Sequence, residues 1–107
     1  MKSDALYLER IADSIRKIES FTEGFDADNF GKDEKTQSAV MLQLMLIGEM
    51  TKRVSTETKK SIDLPWKEIS GFRDRAIHDY YDIDLDIVWQ TIISDIPALK
   101  KALASKH

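Results

Sequence analysis

Apolar residues recur at steps of three and four along almost the whole chain, and that spacing restricts it to helices packed on helices. Leu8, Ile11, Ala12, Ile15 and Ile18 form one such stripe, with charges between them and Ser3 or Asp4 placed to cap its start. A second helical stretch runs from about Lys32 to Ser55. Here Val40, Met41, Leu42, Leu44, Met45, Leu46, Ile47 and Met50 cover most of the helix circumference. A helix apolar nearly all round is buried on several sides. It is therefore either the centre of a bundle or a surface shared with a second subunit. Glu49, directly after Gly48, is the charge close behind this run, and it fits either a structural ion pair or an auxiliary role in a site.

Between these stretches, Phe25 to Gly31 has the Asp, Asn and Gly content of a loop, and Thr56 to Leu64 reads as a connection. Pro65 stands where a helix start tolerates proline, and a third helix extends from there to Tyr80 or Tyr81. Asp84 is suited to cap a fourth helix holding Ile87, Val88, Trp89, Ile92 and Ile93. Pro97 is expected to start a short final helix with Leu99, Ala102 and Leu103. Only 4 glycines and 2 prolines in 107 residues disfavour many short strands and tight turns. The expected fold is all-α, a single domain over residues 1–107: an antiparallel four-helix bundle with a short additional C-terminal helix.

The chain has no cysteine, which rules out disulfides and thiolate metal sites. Its first residues lead straight into a segment carrying Glu9, Arg10 and Asp13, unlike a signal peptide or a membrane span. A cytoplasmic location without membrane attachment is the expectation. A net charge of −3 argues against indiscriminate nucleic-acid binding. Yet from Lys52 to His78 seven Lys or Arg face four Asp or Glu, so this stretch is positive by three. Lys52, Arg53, Lys59, Lys60, Lys67, Arg73 and Arg75 would suit a local basic surface. Ordinary solvated helix faces account for the same charges more simply.

The third helix holds an anomaly. At about 100° per residue, Trp66, Ile69, Ala76, Ile77 and Tyr80 all fall within roughly 60° of Arg73. The guanidinium thus belongs to the face expected to be buried, where it needs a partner or an aqueous cleft; the alternative is a side chain that snorkels to the rim. Lys67, Gly71, Asp74 and His78 form a stripe beside that face. Asp74 lies one turn before His78 and is placed to hydrogen-bond its ring; the other histidine is the terminal His107. Gly71, costly mid-helix by about 1 kcal/mol, would allow close approach of another helix or of a substrate. A structural cap or surface pair explains a lone Asp–His contact equally well.

Imidazole suits proton transfer near neutral pH, and arginine stabilises negative charge on phosphate. Together they fit metal-independent phosphodiester cleavage in RNA, with the 2′-hydroxyl as nucleophile. The sequence offers no carboxylate cluster for Mg²⁺, no glycine-rich phosphate loop and no Ser or Cys nucleophile arrangement, so no metal and no cofactor are expected. Arg73 and His78 are five residues apart, about 140° around a helix, and converge poorly within one copy. A two-fold pairing of third helices in a homodimer would gather two sets around one cleft.

Arg73-Asp74-Arg75-Ala76-Ile77-His78-Asp79-Tyr80 resembles the Arg-polar-x-x-x-His-x-Tyr signature of the HepT-like toxins, a branch of the HEPN superfamily. Leu44 to Met50 (LMLIGEM), Asp63 to Ile69 (DLPWKEI) and Ile83 to Trp89 (IDLDIVW) resemble the family's other recurring segments, in the expected order. The resemblance covers nearly the whole chain. It implies a helical bundle that dimerises around paired motifs and cleaves RNA without metal, as the toxin of a toxin–antitoxin pair. By that resemblance Arg73, Asp74 and His78 are the catalytic set. Arg73 would stabilise the phosphate, Asp74 would be the polar partner and His78 would transfer a proton. Asp74 stands where many relatives have Asn, which adds negative charge beside the scissile phosphate. The partner implied is a nucleotidyltransferase antitoxin that transfers AMP from ATP to Tyr80, in preference to the neighbouring Tyr81. Two other readings remain open: a non-catalytic helical partner of a nucleotidyltransferase, and a structural dimerisation bundle in which His78 is an interface residue.

Overall fold

The computed structural model of the chain describes residues 3–104; His107 lies outside them. Helix α1 spans Asp4–Phe21 and starts where expected, with the Ser3 hydroxyl accepting from the Leu6 amide. It buries the Leu8, Ile11, Ile15 and Ile18 stripe. Beyond Thr22 the chain turns through Gly24, whose φ of 79° is the left-handed conformation that a side chain would disfavour.

The stretch expected as a loop contains one helical turn, α2 (Ala27–Phe30), closed by a capping box between Asp26 and Asn29. This turn drives Phe30 into the core, with its ring centroid 5.3 Å from that of Trp89. Helix α3 (Glu34–Arg53), capped by Asp33, is the centre of the bundle, packing against α1 and against the helix that begins at Trp66. Val40, Met41, Leu44 and Ile47 are buried, while Leu42 stays 54% exposed and Leu46 39%. A central position therefore explains only part of the apolar excess on this helix.

The expected connection after α3 holds a further short helix, α4 (Thr56–Ser61), capped by Ser55. Asp4 reaches across from the start of α1 to join the same cap. Its carboxylate accepts from the Ser55 amide (2.9 Å), from the Thr58 hydroxyl (2.6 Å) and from the Ser55 hydroxyl. Helix α5 follows at Trp66–His78, locked at its start by the Trp66 indole N–H, which donates to the carbonyls of Lys59 and Ile62.

Two boundaries differ from expectation. Helix α5 ends at His78, and Tyr80–Asp82 form a 3₁₀ turn. Asp79 breaks the helix at φ −130° and ψ 37°. Aspartate has low helix propensity, and its charge at a helix C-terminus opposes the dipole. At the other boundary, Pro97 does not start a separate helix. Helix α6 (Leu85–Gln90), capped by Asp84, passes through a π-turn at Thr91–Asp95 directly into α7 (Ile96–Ala104). Proline removes one amide and crowds the carbonyl four residues back, here Ile93. The wider π-turn immediately before it accommodates both without breaking the rod.

The molecule is an all-α bundle of α1, α3, α5 and the α6–α7 rod, with no strand among the described residues. Ile11, Ile15, Ile18, Val40 and Val88 are fully enclosed. Each contributes about 1.5–3 kcal/mol relative to an exposed side chain. No helix among the described residues is long and apolar enough to cross a membrane.

Candidate functional site

The packing of α5 on α3 sets the geometry around Arg73. A Cβ built on Gly48 would lie 2.5 Å from the Arg73 Cβ and 3.2 Å from the Ile69 carbonyl oxygen. Glycine at 48 is thus what lets the two helices meet at this level. No other helix approaches Gly71, around which there is open space; the close approach between helices occurs at Gly48 instead.

Contact at Gly48 sets the stem of Arg73 against α3 and brings its head to Glu49, the next residue of α3, and to the adjacent Asp74. Its Nε lies 3.2 Å from Glu49 Oε1, and its Nη1 lies 3.3 Å from Asp74 Oδ1. Glu49 is itself held from behind by Arg53, Nη2 to Oε2 at 3.1 Å. Tyr7 and Glu49 both act to keep Arg53 charged, raising its pKa above its already high ordinary value. Lys52 completes the chain, with Nζ 2.6 Å from Asp74 Oδ1. Five alternating charges therefore run from Arg53 through Glu49, Arg73 and Asp74 to Lys52, three positive and two negative. The Lys52 ammonium, and then Arg73, hold the Asp74 carboxyl below the usual carboxylate range, so it is ionised at neutral pH.

Arg73 does not sit at the middle of the buried face. That face is centred on Ile69, Phe72 and Ala76, and the Arg73 side chain, 32% exposed, lies at its edge. Ile77, expected inside, is 46% exposed. With Nε and Nη1 engaged, Nη2 has no hydrogen-bond partner among the described residues. The guanidinium is engaged at Nε and Nη1 and open at Nη2, which leaves one donor nitrogen for an anionic ligand.

His78 occupies the last turn of α5 and is exposed. The expected contact from Asp74 to its ring is absent. The Asp74 carboxylate faces Lys52 and Arg73, and the imidazole makes no hydrogen bond among the described residues. Tyr80 lies in the 3₁₀ turn, so its placement relative to Arg73 is set by that turn and not by helix periodicity. It is exposed, at 39% against 97% for Tyr81, and the two rings meet edge-on at 5.6 Å. Among the described residues no three His, Cys, Asp or Glu side chains gather as a metal cage. Arg73, Asp74 and Glu49 thus form one connected site, with His78 beyond it at the end of α5 and Tyr80 in the turn that follows. Lys52 and Gly48 are the members that sequence spacing does not reveal.

A family model described as ribonuclease HepT-like matches residues 11–105. A "Probable ribonuclease HepT" of Thermococcus cleftensis is 41% identical over 95 residues, covering 88% of this chain and 86% of the relative. A "Putative RNase" of Caldanaerobacter subterraneus is 36% identical over 102 residues, 94% of this chain and 91% of its own length. Another "Putative RNase", from Methanocaldococcus jannaschii, is 36% identical over 92 residues, with 85% and 76% covered. No solved structure matches the chain.

Proposed function

The chain belongs to the HepT-like ribonuclease family of the HEPN superfamily, and on that premise we propose that it is a metal-independent endoribonuclease and the toxin of a toxin–antitoxin pair. The observation that carries the reading is the half-engaged guanidinium of Arg73, pinned through Nε by Glu49 and open at Nη2. An RNA phosphate docked there would find its developing negative charge met by a donor that needs no reorientation.

The 2′-oxygen attacks the adjacent phosphorus as its proton is withdrawn, and the bond from phosphorus to the 5′-oxygen breaks as that oxygen gains a proton. The products are a 2′,3′-cyclic phosphate and a free 5′-hydroxyl. His78 is the group for one of these proton transfers, at the 2′-oxygen or at the leaving oxygen. Asp74 is the polar member of the set and holds Arg73 from its Nη1 side. Because Arg73 and His78 diverge on one helix, the working site is a homodimer cleft that combines motifs from both copies. Leu42 and Leu46 on α3 and Ile77 on α5 are exposed apolar residues that such an interface would cover.

Control falls to a nucleotidyltransferase antitoxin. It transfers AMP from ATP to the Tyr80 hydroxyl, forming the tyrosyl–phosphate ester with loss of the phenolic proton and release of pyrophosphate. The added phosphate and adenosine near the motif would repel and obstruct RNA.

The test is cleavage of total cellular RNA in EDTA by wild type, Arg73→Ala and His78→Ala. Wild-type cleavage lost in both variants supports the reading. A folded, dimeric protein unmodified on Tyr80 that leaves RNA intact would make the chain a non-catalytic partner of the nucleotidyltransferase. Mass spectrometry after co-expression with that partner should place the AMP increment on Tyr80. An increment on Tyr81 alone would overturn that assignment.

A further inference from the structure

Asp74 poses a problem for a site that must attract phosphate, and α3 carries the answer. The carboxylate lies against Arg73, at 3.3 Å from Nη1, where it would repel an incoming RNA strand. Lys52 reaches it from α3 at 2.6 Å, although the two residues are 22 apart in sequence. Both side chains are partly exposed, the lysine 37% and the aspartate 51%. A pair in that setting adds little to stability. Its effect on charge is larger. Glu49 and Asp74 together neutralise Arg73 and Arg53, so without Lys52 the connected cluster would have no net charge.

We propose that Lys52 is a positioning residue of the ribonuclease site, holding Asp74 against Arg73 and cancelling its charge so that RNA meets a net cation. The inference rests on the reading of this site as the one that binds RNA phosphate. Lys52 acts through Asp74, since its ammonium is engaged with that carboxylate. The pairing also explains how aspartate is tolerated at this position, because the charge it introduces is answered locally. It makes the requirement for Lys52 conditional. Where residue 74 carries no charge, a cation at 52 is dispensable.

Four proteins test this: wild type, Lys52→Met, Asp74→Asn and the double variant. Two readouts apply to each, steady-state RNA cleavage and binding of a fluorescent 2′-O-methyl oligoribonucleotide that cannot be cut. Lys52→Met should bind about three- to tenfold more weakly at low salt, with the loss shrinking as salt is raised. Its deficit in cleavage should lie in KM more than in kcat. In the Asp74→Asn background the same change at Lys52 should alter affinity by less than a factor of about two, and Lys52→Arg should stay close to wild type. Wild-type behaviour of Lys52→Met would overturn the proposal. So would a deficit that Asp74→Asn leaves unrelieved, which would mean that Lys52 contacts RNA directly. If wild type neither binds nor cleaves, the ribonuclease reading itself fails and the role of Lys52 falls with it. Loss of activity in Lys52→Met alone leaves that reading intact.

Discussion

Gly48 and Arg73 occupy one contact between α3 and α5, and a side chain at 48 has no room beside the Arg73 Cβ. The atom that a new Cβ at 48 would strike is the Arg73 Cβ, close to the backbone and unable to swing away. Gly48→Ala should therefore force the helices apart, lowering stability by about 1–3 kcal/mol in urea unfolding. It should also reduce RNA cleavage more than the lost stability explains, because Arg73 shifts relative to Glu49. Unchanged stability would mean that the helices separate freely. Glu49→Gln tests the same point from the other side. It keeps the size of the side chain but removes the charge that meets Nε. Cleavage should fall about tenfold, with a modest change in melting temperature for a pair that solvent still reaches. An activity equal to wild type would make Glu49 a bystander. At this scale the sequence singles out Arg73, Asp74, His78 and Tyr80 as candidates, because they lie within eight positions and carry distinctive chemistry; of these the structure joins Arg73 to Asp74 and leaves His78 apart. Gly48 and Lys52 were illegible as members of the site. What joins them to it is the register of one helix on another, which local periodicity does not encode.

Helices show the same division between local and distant causes. Caps at Ser3 and Asp84 could be read directly, because each acts on an amide two or three residues ahead. The stop after His78 and the fusion of α6 to α7 depend on competing local terms, and the π-turn before Pro97 has no simple composition signature. Helix α4 has its own local cap in Ser55, which Asp4, 51 residues away, joins. That shared cap makes a pH-dependent element contact. The hydroxyls of Ser55 and Thr58, with the Ser55 amide, hold the Asp4 carboxyl below the usual carboxylate range in the folded protein. A depressed folded pKa contributes stability above the unfolded value and loses it as pH falls through the folded one. The melting temperature of wild type should exceed that of Asp4→Asn at pH 6–7. The gap should close progressively below about pH 5. A gap independent of pH would assign the contact to hydrogen-bond geometry alone, with no role for the charge.

For the whole molecule, the proposed dimer raises the question of which copy would supply which half of the site. Arg73 is anchored toward α3 at the edge of the buried face, while His78 stands free at the far end of α5. An assembly in which Arg73 of one copy works with His78 of the other reconciles these positions with a single reaction. That arrangement has a consequence which separates it from two independent sites. In a mixed dimer of Arg73→Ala and His78→Ala chains, one cross-subunit site loses both groups and the other keeps both. Each such dimer should have half the wild-type activity. Random re-association of equal amounts makes about half the dimers mixed, so the mixture should recover about one quarter of wild-type cleavage. Sites built within single chains would recover nothing, since each would lack one group. The measurement needs only that subunits exchange, which a difference in tag mass on the two variants can verify. Leu42→Lys supplies the control. If the exposed face of α3 forms the dimer, this change should yield folded monomers and abolish recovery in the mixture. A variant that stays dimeric would move the interface to another face.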